Sequence, residues 1–208
     1  MKAVIPVAGV GTRLRPHTYT QPKVLLNVAG KPILGHIIDK LVENSIKDIL
    51  LIVGHLGEMI KNYVESSYPD VRFEFIEQKE PLGLGHAIYL AGEAFKDEDE
   101  ILIILGDTIF DFDISKFLKS KFTTIGVKAV EDPRRFGVVI LNGDKFASRL
   151  IEKPSEPPLQ IVNPIFPSSY PSFLANSYSS SPSIGFELPK IVTTFSLIPQ
   201  LKVCFLKR

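Results

Sequence analysis

Two short, largely apolar runs, Lys2 to Val7 and Ile101 to Leu105, each stop at a glycine-bearing turn. Such runs are too short for ordinary helices and are apolar on both faces. They suit strands inside a parallel sheet that is covered on both sides. Two more strands are expected between them, at Asp48 to Val53 and Val71 to Ile76. Helical spacing separates the strands. One helix is expected from Pro32, with Ile33, Ile37, Ile38 and Leu41 on its apolar face. Others are expected at Glu58 to Ser66 and Leu84 to Phe95. This alternation predicts an α/β fold built on a doubly wound, mostly parallel sheet. Ligands on such sheets sit beyond the carboxyl ends of the strands, where the long loop from residue 8 to 31 and Asp107 both fall. Beyond Ser115 the expected strands, Phe122 to Val130, Phe136 to Leu141 and Phe146 to Ile151, lack long helices between them. They predict a small β-rich lobe over one side of the site.

Charge excludes some functions. The net charge is +1, so no global basic field favours nucleic acid. Cys204 is the sole cysteine, which rules out an internal disulfide and fits a cytoplasmic location. The opening MKAVIPVAG runs straight into a glycine turn. It is too short for a secretory h-region or a membrane span, so no membrane partner is expected.

The chemistry concentrates after the first strand. Ala8-Gly9-Val10-Gly11-Thr12-Arg13 joins a glycine turn to a cation, and Pro22-Lys23 adds a second cation ten residues on. Gly9 and Gly11 let backbone N–H groups approach phosphate oxygens closely. Thr12 adds a hydroxyl donor, and the Arg13 guanidinium is a planar fork suited to phosphate. Asp107 follows an apolar strand and a glycine, well placed to hold Mg²⁺ together with substrate phosphates. Gln78 can both donate and accept, which suits the imide edge of thymine or uracil. Gly83 and Gly85 leave room for a ring. His86, at the start of a helix and with no partner visible in the sequence, reads as structural. Glu152 and Lys153 suit sugar hydroxyls and a sugar phosphate. The four histidines show no metal-ligand spacing, and neither a nucleophile elbow nor a P-loop occurs.

Six segments together carry a resemblance: GVGTRLRPHTYTQPKVLLNVAGKPIL (9–34), VGHLGEMI (53–60), EQKEPLGLGHAI (77–88), LGD (105–107), VEDPRRFGVVIL (130–141) and LIEKPSEPP (150–158). The chain resembles the sugar-phosphate nucleotidyltransferases, and among them the long-form glucose-1-phosphate thymidylyltransferases. Pro6-Val7-Ala8-Gly9 looks more like the UTP-using uridylyltransferases, which leaves dTTP and UTP both open. The resemblance implies a Rossmann-like core over residues 1–158 and Mg²⁺-dependent transfer of a nucleotidyl group from a pyrimidine NTP, dTTP first and UTP as the alternative, to a sugar 1-phosphate, glucose 1-phosphate first, releasing pyrophosphate. By motif, Arg13 and Lys23 would be catalytic, and Asp107 would bind the metal. Ala8, Gly9, Gly11, Thr12, Gln78 and Gly83 would bind the nucleotide. Gly137, Glu152 and Lys153 would hold the sugar phosphate. Family members commonly assemble, so a homo-oligomer is a further option. A non-catalytic nucleotide- or sugar-phosphate-binding subunit is the alternative function.

The likeness ends near Pro158. Residues 159–208 hold five of the 47 charged side chains, with six prolines and nine serines. No aspartate follows Asp144, whereas the family's pattern has a second metal-binding aspartate on a later strand. The expectation is an incomplete core followed by an atypical tail that lacks the family's next strand and is out of frame. Translating the other reading frames past codon 158 tests this. A charged αβ pattern with an aspartate in one frame supports it, and its absence from all frames refutes it.

Overall fold

The computed structural model describes residues 1–110, 113–120, 122–127, 137–142, 146–152, 173–174, 191–192 and 205–207. In chain order, β1 (Lys2–Pro6) leads through a long loop to the hairpin β2 (Asn27–Val28) and β3 (Lys31–Pro32). Next come α1 (Ile33–Glu43), β4 (Asp48–Val53), α2 (Gly57–Ser67), β5 (Arg72–Glu77), α3 (Leu84–Leu90) and β6 (Glu100–Ile103). The remainder holds α4 (Ile114–Leu118), β7 (Thr124–Ile125), β8 (Gly137–Leu141), β9 (Ala147–Glu152), β10 (Phe173–Leu174), β11 (Ile191–Val192) and β12 (Phe205–Lys207).

The main sheet has the order β11-β12-β6-β1-β4-β5. β1 pairs in parallel with β4 on one side (Val4 opposite Leu50) and with β6 on the other (Val4 opposite Ile103). β5 extends the parallel set beyond β4. The chain therefore winds one way from β1 to β5, then returns across β1 to lay down β6. That reversal opens a crevice at the carboxyl ends of β1 and β6. This is the expected doubly wound, mostly parallel α/β fold.

Both faces of the sheet are covered. Alternate residues Ala3, Ile5, Ile49, Leu51 and Leu102 meet Leu34, Ile38 and Leu41 of α1, Ile60 and Val64 of α2, and Ile114 and Phe117 of α4. The other set, Val4, Leu50, Ile52, Ile101 and Ile103, meets Ala87, Ala91 and Phe95. Each of the larger side chains, Val, Leu, Ile and Phe, contributes about 1.5–3 kcal/mol by leaving water. α1 ends in a left-handed turn at Ser45 (φ 62°). Ser45 N and Ile46 N then bond back to Val42 O and Leu41 O, both at 2.9 Å, which satisfies the helix's last carbonyls.

Several expectations need correction. The loop from 8 to 31 is not featureless: it holds three 3-10 turns and the β2–β3 hairpin. The hairpin turns on Ala29 (φ 50°) and Gly30 (φ 84°), the double positive φ of a tight two-residue connection. Pro32 ends that hairpin and precedes α1 instead of starting it. The segment from Leu84 to Phe95 is not one helix; α3 stops at Leu90 and Gly92–Phe95 forms a 3-10 turn. A glycine inside a helix weakens it. Of the strand expected over Phe122 to Val130, Thr124–Ile125 is observed, and residues 128–130 lie outside the described residues, as does Phe136. β8 and β9 form a separate antiparallel pair. The outer edge of β6 has a neighbour: β12 lies antiparallel on it, with Leu206 opposite Ile101. Among the described residues, no helix is long and apolar enough to cross a membrane.

One buried charge sits at the opposite, amino end of the sheet. Lys2 is 4% exposed, and its Nζ donates to Glu74 Oε1 (3.1 Å), Glu74 Oε2 (3.0 Å) and Ala94 O (2.7 Å). Arg72 Nη2 donates to Glu74 Oε1 at 2.8 Å and lies 3.2 Å from Asp48 Oδ2. Burial alone would push the Glu74 carboxyl up, but the hydrogen bonds from Lys2 and Arg72 outweigh it and hold it below its ordinary value. A depressed carboxyl stabilises the fold above its unfolded-state pKa, and that contribution is lost as pH falls through the folded-state value. Glu74→Gln is therefore expected to lower stability at neutral pH by about 1 kcal/mol and to flatten the acid limb of the stability curve. Urea titrations across the acid range measure both, and an unchanged acid limb would remove Glu74 from the account.

Candidate active site at the carboxyl rim

The carboxyl ends of the parallel strands carry the loop after β1, Gln78 after β5 and Asp107 after β6. The β1–β6 ladder continues past the strands, with Ile104 N donating to Val4 O (3.0 Å) and Gly106 N to Pro6 O (3.2 Å). Asp107 is thereby set beside the point where the chain leaves β1. On the far side, Gln78 N donates to Val53 O at 2.8 Å, so Gln78 continues the β4–β5 ladder. From β6 to β5 is three strand spacings of about 4.8 Å, so the two ends of the rim stand about 14 Å apart.

The loop leaving β1 is folded upon itself. Thr18 is buried and its hydroxyl donates to Gly11 O at 2.9 Å. Gly11 has φ +66°, and a Cβ there would stand 3.0 Å from Lys23 Cβ and 3.1 Å from Thr18 Cγ2. Glycine is thus required twice over, by backbone sign and by the close approach of the Lys23 stem. Lys23 starts a 3-10 turn whose next two side chains, Val24 and Leu25, are in the core. Gln21 Nε2 closes that turn on Leu25 O at 2.7 Å. Two apolar anchors therefore hold the lysine over the rim.

The result is one contact across 84 positions: Lys23 Nζ donates to Asp107 Oδ2 at 2.6 Å. The two side chains are 21% and 28% exposed, a half-buried pair open to ligand. An ammonium has three N–H donors, so two remain for other acceptors. Asp107 Oδ1 has no hydrogen-bond partner among the described residues. A hard carboxylate oxygen of this kind suits Mg²⁺ when phosphate oxygens and waters complete the shell. No group of three His, Cys, Asp or Glu that could hold a metal occurs among the described residues.

The remaining residues fall into three groups. Arg13 and Thr12 lie in the exposed turn Thr12–Leu14, and Arg13 forms no ion pair among the described residues. Ala8 is pinned against Gly54, where a Cβ would meet Ala8 O at 2.9 Å, while Gly9 faces open space. At the β5 end, Gln78 is 8% exposed. Its Nε2 lies 3.1 Å from Gly83 O and 3.1 Å from His86 Nδ1. Gly83 (φ +97°) and Gly85 have nothing within 4 Å of an added Cβ, so the surface there is open. In the separate lobe, Gly137 and Glu152 stand directly opposite each other on β8 and β9. Lys153 lies outside the described residues. The sequence reading gave His86 no partner; its contact with Gln78 spans eight positions and a turn, which no helical or strand period signals.

Gly11→Ala is expected to cost about 1–2 kcal/mol from the left-handed backbone alone, with Lys23 pushed off Asp107. Urea denaturation measures the loss. A stability equal to the parent's would mean that the turn tolerates another conformation and does not hold Lys23.

The family model described as Nucleotidyl transferase matches residues 2–194. Over 163 residues the chain is 42% identical to the bifunctional protein GlmU of Methanocaldococcus jannaschii, an alignment covering 78% of this chain and 38% of that protein. It is 36% identical over 169 residues to the UTP–glucose-1-phosphate uridylyltransferase AglF of Haloferax volcanii, covering 78% of this chain and 69% of that one. The fold superposes with a TM-score of 0.67 and 30% identity on a Bacillus anthracis protein, given provisionally as a glucose-1-phosphate thymidylyltransferase and solved in complex with a sucrose. That match covers 84% of this chain and 69% of the other. The chain thus spans little more than a third of the GlmU relative's length.

Proposed function

The chain belongs to the nucleotidyl transferase family, within the sugar-phosphate branch, and from that premise we propose that its site transfers a nucleotidyl group from a pyrimidine NTP, dTTP or UTP, to a sugar 1-phosphate. Glucose 1-phosphate is the first candidate acceptor, in keeping with what the AglF and Bacillus anthracis relatives are named for. The observation that carries the reading is the 2.6 Å contact of Lys23 with Asp107. It joins the cation of the glycine loop to the carboxylate after β6, in the crevice where the winding reverses.

In the reaction proposed, a phosphate oxygen of the sugar 1-phosphate attacks the α-phosphorus in line. The α–β phosphoanhydride bond breaks and pyrophosphate carries the electron pair away. Protein groups serve mainly to position the reactants and neutralise charge. Lys23 donates its two remaining N–H groups to phosphate oxygens while holding Asp107 in place. Arg13, exposed and without an ion-pair partner among the described residues, closes as a fork on the triphosphate and the leaving pyrophosphate. Asp107 Oδ1 is the atom that would hold Mg²⁺, which when bound would neutralise charge on the phosphates. Gln78 and Gly83 read the base. Gly137 and Glu152, opposite each other on one hairpin, suit the sugar, with Lys153 for its phosphate.

The test is pyrophosphate release with Mg²⁺, glucose 1-phosphate and each of dTTP, UTP, CTP, GTP and ATP. Release is expected with dTTP or UTP and should stop when EDTA removes the metal. Lys23→Met should lower kcat by about 10²–10³. Mn²⁺ titration followed by its paramagnetic signal should show binding lost in Asp107→Asn and retained in Lys23→Met. Saturable dTTP or UTP binding with no release under any condition would refute the enzyme and leave a binding subunit.

A further inference from the structure

We propose that His86 is a positioning residue for base selection, acting through the side-chain amide of Gln78. The proposal rests on the reading of Gln78 as the group that meets the base. Gln78 Nε2 carries two hydrogens, and the structure offers both an acceptor: Gly83 O at 3.1 Å and His86 Nδ1 at 3.1 Å. His86 accepts through Nδ1 when its ring proton sits on Nε2. With both N–H groups engaged, Gln78 has only Oε1 left to present. It is thus held as a pure acceptor, unlike the two-way group its sequence position suggests.

A fixed acceptor distinguishes the pyrimidines. Thymine and uracil carry an N3–H between two carbonyls, and that hydrogen can bond to Oε1. Cytosine has a bare acceptor nitrogen at N3, which would face Oε1 with no hydrogen between them. A freely turning amide would cancel the distinction by rotating Nε2 towards cytosine. Rotation here would set Oε1 against the Gly83 carbonyl, which can only accept, and would keep the His86 contact only if the ring proton moved from Nε2 to Nδ1. Because Gln78 is 8% exposed, water cannot readily replace a lost bond. The open surface at Gly83 and Gly85 lets a ring lie beside this locked group. His86 itself need not touch the nucleotide.

The experiment compares CTP with the better of UTP and dTTP, reading the ratio of kcat/KM, or the ratio of Kd by calorimetry if turnover is slow. His86→Leu removes the acceptor and should cut the ratio about tenfold, the value of one hydrogen bond. His86→Asn places an amide oxygen near the old Nδ1 and should restore the ratio to within about threefold. A role limited to holding the start of α3 would weaken both nucleotides alike and leave the ratio unmoved. An unchanged ratio in His86→Leu, or in His86→Ala should the leucine variant fail to melt cooperatively, overturns the proposal. Gln78→Leu separates the two levels of the argument. If it abolishes discrimination while His86→Leu does not, only the role of His86 falls. If it too leaves discrimination intact, the base-reading role of Gln78 falls.

Discussion

β1 is enclosed on every side, and the rest of the molecule follows from that. Ala3, Val4 and Ile5 are fully buried, and both edges of the strand are hydrogen-bonded, to β4 and to β6. A five-residue strand so placed has no free edge and no wet face. Its chain must leave at the carboxyl end, in the crevice between β1 and β6, and whatever follows Pro6 becomes the lining of that crevice. The same enclosure makes the rim rigid, because any displacement of Ala8 or Gly106 meets packed backbone: Gly54 lies against Ala8, and Gly106 against Pro6 O.

On this support the loop delivers a cation to a carboxylate. The Lys23–Asp107 pair adds on the order of 1 kcal/mol or less to stability, because both groups remain partly open to water. What holds Lys23 in place is its neighbourhood: Val24 and Leu25 in the core, and Gly11 beneath its stem. The division is physically sensible. Apolar burial supplies the positional energy, and the charged pair stays available to a ligand. At the other end of the rim, Gln78 is held in a similar manner, its backbone by the β4–β5 ladder and its amide by Gly83 and His86.

Much of the architecture was legible in the residues. β4 and β6 are short apolar runs, and α1 repeats its apolar residues at helical spacing, so the periods announce them. What was missed has no period. The β2–β3 hairpin has two residues per strand and declares itself only through the Ala29-Gly30 turn. The break between Leu90 and Gly92 depends on a single glycine. β12 was invisible because its pairing with β6 joins segments about a hundred positions apart, with nothing local to mark it.

The sequence by itself determined the alternation of strands and helices, the glycine loop with its two cations, and the family to which those motifs point, because each is written in local spacing and residue type. Only the tertiary structure decided that Lys23 grips Asp107 and that the Gln78 amide meets Gly83 O and His86 Nδ1. Both are contacts between specific atoms brought together by the return of the chain across β1 and by the turn after β5. Hydrogen bonds at 2.6 and 3.1 Å depend on where backbones finally pack, which residue order alone does not state.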